Sequence, residues 1–127
     1  MMDLLTALKR VQQVVSLKPQ VAVVLGSGLG ELVEQFSGCK AIPYKDIPEF
    51  PHSRVVGHAG NLVFGTLHGI PLVAMQGRAH YYEGHDMQKV VFGVRLMKLL
   101  GAHTIITTNA VGAINKKYKV GDLMLIR

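Results

Sequence analysis

Residues 21–30 read Val21-Ala22-Val23-Val24-Leu25-Gly26-Ser27-Gly28-Leu29-Gly30. The first five are apolar and mostly β-branched, which predicts a buried strand, and the segment from Leu29 to Phe36 predicts the start of a helix. The glycines between them let the backbone approach a ligand closely. Backbone N–H groups at the helix start, together with the Ser27 hydroxyl, favour an anion. The spacing is neither a dinucleotide-binding motif nor a Walker loop, so a plain tight turn is the alternative interpretation.

A second segment has complementary chemistry. It reads Gly77-Arg78-Ala79-His80-Tyr81-Tyr82-Glu83-Gly84 and follows an apolar run at 70–75 that also predicts a buried strand. The planar guanidinium of Arg78 suits two phosphate oxygens. In an extended chain His80 and Tyr82 point the same way as Arg78, and Glu83 could orient a histidine. The alternatives are a surface ion pair for Arg78 and a structural hydrogen bond for His80.

A third segment, Thr107-Thr108-Asn109-Ala110-Val111-Gly112, follows the run 103–106, which again predicts a buried strand. Small residues at a strand exit let backbone N–H groups face a ligand, although Asn109 is equally typical of a β-turn. Open α/β sheets bind ligands where their strands end. The three segments therefore predict one shared anion-binding site.

The rest of the pattern predicts an α/β domain over residues 1–127, with a mixed twisted β-sheet flanked by helices. The expected elements are a helix at 3–17 capped by Asp3, a loop or edge segment at 42–51, strands at 54–57 and 61–67, a hairpin into a strand at 71–76, a helix at 87–100 ended by Gly101, a strand at 104–108, a turn at 120–122 and a strand at 123–126. An apolar strand at 123–126 normally pairs with something that follows. The fold is therefore expected to be incomplete at the C-terminus, with an exposed sheet edge there that favours self-association.

Composition narrows the function classes. The net charge is +6, but the basic residues are scattered, their densest patch being Lys116, Lys117 and Lys119, and there is no Trp. This pattern argues against nucleic acid as a partner. No apolar stretch is long enough for a bilayer, and the single Cys39 favours a reducing cytoplasm. The six histidines lack metal-ligand spacing, so no metal is expected.

Taken together, the motifs resemble the trimeric purine nucleoside phosphorylases of the inosine/guanosine type. The resemblance rests on segments at 24–30, 50–51, 57–60, 77–84 and 108–112, in family order and with family-like gaps. It implies a nucleoside phosphorylase-like fold and a pentosyltransferase (a glycosyltransferase of purine salvage and nucleoside metabolism). The implied reaction is reversible phosphorolysis of purine (deoxy)ribonucleosides to free base and (deoxy)ribose 1-phosphate, with inorganic phosphate as co-substrate and no cofactor.

The resemblance also implies residue roles. Ser27, Arg78, His80 and the backbone N–H of Ala110 would bind phosphate, and His58 would close on it from the loop Gly57-His58-Ala59-Gly60. His80 and His58 are the implied catalytic residues, and Tyr82 would contact the sugar. The implied partners are a purine nucleoside, phosphate and further copies of the chain in a trimer.

Two departures from the family pattern concern side chains without assigned chemistry, Ala79 and Val111. A third concerns length, because family members are roughly twice as long, within single-domain range. Their base-reading Glu and Asn come later in the chain. We therefore expect this chain to carry the phosphate-side half of the site and to be poorly active alone. The alternatives are a non-catalytic phosphate-binding module, a methylthioadenosine-type phosphorylase and, last, a nucleotide-binding regulatory domain.

Overall fold

The computed structural model describes residues 3–52 and 59–126. In this part of the chain the central feature is a mixed sheet of five strands in the order β2-β3-β4-β1-β5. The strands are β1 (Val21–Leu25), β2 (Ser37–Pro43), β3 (Asn61–Leu67), β4 (Ile70–Gln76) and β5 (Thr104–Thr107). The predicted mixed sheet is confirmed. The strand predicted at 54–57 lies outside the described residues.

The strand β1 organises the sheet. It pairs in parallel with β4 on one side and with β5 on the other. Because both neighbours are parallel to β1, the carboxyl ends of all three strands meet at one edge of the sheet. The hairpin β3–β4 and the edge strand β2 complete the sheet through antiparallel pairing.

Helices cover both faces of the sheet. On one face lie α1 (Leu4–Val14) and α3 (Phe92–Leu99), which bury Val11, Phe92 and Leu96 against sheet residues such as Phe64. On the other face a 3₁₀ helix at Gly30–Gln35 covers a smaller apolar cluster. None of the described helices is long and apolar enough to cross a membrane.

The predicted cap of α1 is confirmed. The Asp3 carboxylate accepts hydrogen bonds from the backbone N–H groups of Leu5 and Thr6. A hydrogen bond from the Thr6 hydroxyl is the main reason why the pKa of Asp3 is lowered. The helix ends at Val14, three residues earlier than predicted, and Val15 is already extended with φ −132°. Stiff β-branched side chains at these two positions favour the extended conformation.

Two other helices differ from their prediction. The helix expected after Leu29 is the short 3₁₀ helix at Gly30–Gln35. Leu29 N–H donates to the Gly26 carbonyl and Leu32 N–H donates to the Leu29 carbonyl, so the i→i+3 spacing of the turn continues into the helix. The predicted helix is therefore shorter and more tightly wound than expected, and the anion-binding role of the segment before it stays a prediction. The helix predicted at 87–100 is divided into α2 (Met87–Val90) and α3 at Val91, within a β-branched pair.

The edge strand β2 was only partly expected. The sequence indicated a loop or edge segment at 42–51, whereas pairing begins at Ser37. Five of the seven β2 residues are exposed, and the register shifts between Ser37 and Lys40. A polar, irregular edge strand has little apolar alternation by which sequence could reveal it.

The C-terminal region corrects two expectations. The strand β5 is exposed rather than buried, with Ile105 and Ile106 46% and 49% exposed, because it lies at the sheet edge. The turn at 120–122 is confirmed by a hydrogen bond from Asp122 N–H to the Lys119 carbonyl. The strand predicted at 123–126 is wrong, since these residues have no regular structure and are strongly exposed. In the described part of the chain no strand lies beside them, so the sheet edge nearest the C-terminus is β5.

Candidate functional site

A cavity of about 320 Å³ lies where β1, β4 and β5 end. All three predicted segments contribute to its wall, which is formed by Gly26, Ser27, Arg78, His80, Tyr82, Asn109, Ala110 and Val111. The parallel pairing of the three strands explains this convergence, because segments far apart in sequence leave the sheet at the same edge. The cavity therefore combines a hydroxyl, a guanidinium, an imidazole and exposed backbone.

Arg78 is oriented by the segment that follows β5. Its Nη1 donates to the Thr108 carbonyl at 2.9 Å, and its Nη2 donates to Asn109 Oδ1 at 2.6 Å. These two bonds hold the half-buried guanidinium, which is permanently charged, at the wall of the cavity. This arrangement suits a multiply charged anion.

His80 and Glu83 form a local unit. Glu83 Oε1 accepts from the backbone N–H of His80 at 2.8 Å and lies 2.9 Å from His80 Nδ1. The carboxylate can only accept, so Nδ1 carries the proton of this bond. The side chains are only 18% and 8% exposed. The contact fixes the imidazole orientation, as the sequence suggested for Glu83.

Tyr82 lines the same cavity, but the backbone conformation that places it there differs from the predicted one. Residues Tyr81–Glu83 form a 3₁₀ turn rather than an extended chain. In this turn the Tyr82 ring stacks on the His80 ring, with centroids 4.7 Å apart and 21° between planes. Tyr82 is 75% exposed, so most of its surface remains open to a ligand.

The exits of β1 and β5 touch each other directly. Gly26 N–H donates to Thr108 Oγ1 at 3.0 Å, and this hydroxyl donates in turn to the Val24 carbonyl at 2.9 Å. A Cβ atom on Gly26 would lie 2.8 Å from the Thr108 carbonyl oxygen. Glycine is therefore required at position 26 for close packing, not for a positive φ.

Comparison with known proteins places this geometry in a family. The family model described as the phosphorylase superfamily matches residues 20–127. The chain belongs to the phosphorylase superfamily.

Similar members of this superfamily are purine nucleoside phosphorylases. Purine nucleoside phosphorylase 1 of Bacillus subtilis is 53% identical over 108 residues, covering 85% of this chain and 40% of the relative. The Rattus norvegicus purine nucleoside phosphorylase is 54% identical over 110 residues, which cover 87% of this chain and 38% of the relative. Isoform 2 of the Schistosoma mansoni enzyme, solved with cytosine and ribose-1-phosphate, matches with TM-score 0.85 and 44% identity, covering 94% of this chain and 42% of that chain. The predicted resemblance is confirmed, and the chain spans about 40% of the length of these relatives.

The structure thus brings five predicted residues of this phosphorylase-superfamily chain to one cavity. They are Ser27, Arg78, His80, Tyr82 and Ala110. The sixth, His58, lies outside the described residues. The roles assigned to all six remain predictions. Within residues 3–52 and 59–126, no group of three or more His, Cys, Asp or Glu is placed to hold a metal ion.

Sequence reasoning missed the residues that support the cavity wall. Tyr44 donates its hydroxyl proton to the Gly77 carbonyl at 2.7 Å, and burial raises the pKa of this phenol. Gln76 donates to the Gly30 carbonyl at 2.9 Å and accepts from Asn61 at 3.1 Å. Gln76 could have been identified from sequence, because a polar residue at the end of an apolar strand indicates a side chain with hydrogen-bond partners. Nothing local indicated Tyr44.

A larger cavity of about 520 Å³ lies between α1, α3 and β5. Its lining includes Val94, Leu99 and Ile105, and its surface is almost entirely apolar. Such walls suit apolar packing rather than anion chemistry. The smaller, polar cavity is therefore the candidate functional site.

Proposed function

We propose that this chain provides the phosphate-binding side of the active site of a purine nucleoside phosphorylase. The observation that carries the proposal is the shared polar cavity, whose lining includes Ser27, Arg78, His80 and Ala110. Its support from comparison is the similarity to purine nucleoside phosphorylases of bacteria and mammals.

The proposed binding chemistry is electrostatic. The Arg78 guanidinium and the His80 imidazole supply directed donors, and the Ser27 hydroxyl and Ala110 N–H complete the cradle. The family resemblance assigns His58, which lies outside the described residues, to the same phosphate. An aligned phosphate dianion then has two functions, because it is the nucleophile and it stabilises the oxocarbenium-like sugar.

In the proposed reaction one phosphate oxygen bonds to C1′ of the sugar while the glycosidic C–N bond breaks. The base departs with the bonding electron pair. The exposed ring of Tyr82, stacked on His80, offers a surface for the sugar. Phosphate is consumed as co-substrate, and no cofactor takes part.

We also infer the wider setting of the protein, with purine salvage and the trimer taken from the family resemblance and the remaining points from the composition of the sequence. Residues 1–127 form one α/β domain that acts in cytoplasmic purine salvage as part of a homotrimer. Neither nucleic acid nor a membrane is a partner. Sedimentation velocity of the purified protein tests the assembly state, and the absence of a trimeric species contradicts it.

Phosphate binding by the purified 127-residue chain tests the site itself. Removing the guanidinium in Arg78→Gln should weaken the phosphate Kd about 10- to 100-fold, since a charged hydrogen bond contributes about 1.5–3 kcal/mol. Lys117→Gln is the matched control, because it removes the same charge from an exposed position outside the cavity. Isothermal titration with inorganic phosphate gives both affinities. Equal weakening by the two variants would mean that general positive charge, not a site, attracts the anion.

A further inference from the structure

Thr108 joins the three segments that form the polar cavity, although it is not among the residues that line it. Its hydroxyl accepts from Gly26 N–H at 3.0 Å and donates to the Val24 carbonyl at 2.9 Å. Its backbone carbonyl accepts from Arg78 Nη1 at 2.9 Å. One half-buried residue at the end of β5 thus bonds to the exit of β1 and to the cation that follows β4.

The two hydroxyl bonds fix the rotation of the Thr108 side chain. A hydroxyl has one proton to donate, and here that proton is directed to Val24 while a lone pair faces Gly26. The backbone N–H of Thr108 also donates to the Val24 carbonyl, at 3.1 Å. The end of β5 is therefore held against β1 by side chain and backbone together.

The consequence concerns the distance between two anion-binding groups. Arg78 is placed by the Thr108 carbonyl, and Ser27 follows directly after the glycine held by the Thr108 hydroxyl. A shift of β5 against β1 would move these two groups relative to each other. Small misplacements of groups that bind one anion together lower affinity, because all donors must reach it at once.

We propose that Thr108 is a positioning residue that sets the spacing between Ser27 and Arg78 for one phosphate. The inference rests on the proposed function, since it concerns the same phosphate. It assigns to Thr108 no contact with substrate.

The test compares Thr108→Val with Thr108→Ser in the 127-residue chain. Valine keeps the shape and loses the hydroxyl, whereas serine keeps the hydroxyl and loses the methyl group. The expected result is a phosphate Kd about tenfold weaker in Thr108→Val and within about twofold of wild type in Thr108→Ser, by isothermal titration. Amide hydrogen exchange at Gly26 should also be faster in Thr108→Val, because its acceptor is gone.

Urea unfolding separates positioning from simple stabilisation. A merely structural Thr108 would lower the unfolding free energy of Thr108→Val but leave the phosphate affinity of the folded chain unchanged, and that result overturns the inference. Equal affinity loss in both variants also overturns it. If the wild-type chain itself fails to bind phosphate, the proposed function fails and this inference fails with it.

Discussion

The substitution Gly26→Ala tests how closely the exits of β1 and β5 must approach. The added Cβ would lie 2.8 Å from the Thr108 carbonyl oxygen and 3.3 Å from Asn109 Cα. Both atoms belong to backbone, so no side-chain rotation can relieve the contact. The two strand exits must instead move apart.

The size of this movement follows from the distances. Reaching an ordinary contact of 3.4 Å needs an opening of about 0.6 Å, which lengthens the bond from Gly26 N–H to Thr108 Oγ1 from 3.0 Å to about 3.6 Å. That is beyond hydrogen-bonding range. Overpacking costs about 1–3 kcal/mol, and an unsatisfied buried N–H costs a similar amount. Moving the strand exits apart relieves the overpacking but breaks the hydrogen bond, so the two costs do not add in full. We therefore expect Gly26→Ala to lower the unfolding free energy by about 2 kcal/mol.

The same movement should weaken phosphate binding about tenfold, since Arg78 is attached to the displaced carbonyl. Gly65→Ala is the matched control. Its Cβ also meets a heavy atom at 2.8 Å, in Phe36, but Gly65 pairs with Leu72, four residues or about 13 Å along β4 from Gln76 at the cavity end.

Urea unfolding and phosphate titration are measured on both variants. We expect Gly26→Ala to lose stability and affinity, and Gly65→Ala to lose stability alone. Unchanged phosphate affinity in Gly26→Ala, or an equal loss in Gly65→Ala, would refute the argument that this contact sets the geometry of the cavity.

Three further outcomes are expected. Tyr44→Phe should lower the unfolding free energy by about 1 kcal/mol at pH 8, because the Gly77 carbonyl loses its donor. Burial raises the pKa of Tyr44 above its value in the unfolded chain, so the tyrosine stabilises the fold below about pH 10 and loses about 1.4 kcal/mol of this stabilisation per pH unit above it. Urea unfolding at pH 8 and pH 11 should therefore show that wild type is more stable than Tyr44→Phe at pH 8 only. A difference in unfolding free energy that is the same at both pH values contradicts this. Ile106→Lys should remove the species larger than a trimer that form by pairing at the free β5 edge, whereas Leu5→Lys, at another exposed apolar position, should not; sedimentation velocity of the wild-type chain that shows no such larger species contradicts this. The 127 residues by themselves should turn over inosine at least about 10²-fold more slowly than a purine nucleoside phosphorylase, because the resemblance assigns leaving-group activation to residues outside them; a smaller difference, measured by hypoxanthine release, contradicts it.

Local pattern was sufficient for the centre of the molecule. The apolar run at Val21–Leu25 and the glycines that follow it predicted a strand and a turn, and the structure has both. Arg78 and His80 stood out because they alternate with Tyr82 directly after a predicted strand, so that all three side chains were expected on one side of the chain. Their convergence followed from the rule that parallel strands bring their carboxyl ends to one edge.

The contacts that hold the cavity together could not be predicted from short stretches of sequence. Thr108 and Gly26 are 82 residues apart, and their bond exists only because β5 pairs with β1 in one register. Tyr44, at the start of a short 3₁₀ helix (Tyr44–Asp46), donates to the Gly77 carbonyl, and its ring stacks on Phe50 with centroids 4.1 Å apart. Such roles depend on tertiary placement.

The solvent exposure of two apolar segments was also predicted wrongly. The apolar runs at 104–108 and 123–126 have the composition of buried strands, and sequence alone assigns them to the interior. In the structure β5 is an edge strand and residues 123–126 are exposed without regular structure. Burial depends on what lies beside a segment, which its own residues do not specify.

The central claim, that this chain supplies the phosphate side of a purine nucleoside phosphorylase site, is tested most directly in a chimera. Residues 20–127 would replace the matching part of the Bacillus subtilis relative, which is 53% identical to this chain over 108 aligned residues. The measurement is release of hypoxanthine from inosine, with phosphate omitted as the control and a melting curve to verify folding. The account predicts phosphate-dependent release that Arg78→Gln strongly reduces. A folded chimera that binds phosphate but releases no base would contradict it and favour a non-catalytic phosphate-binding module.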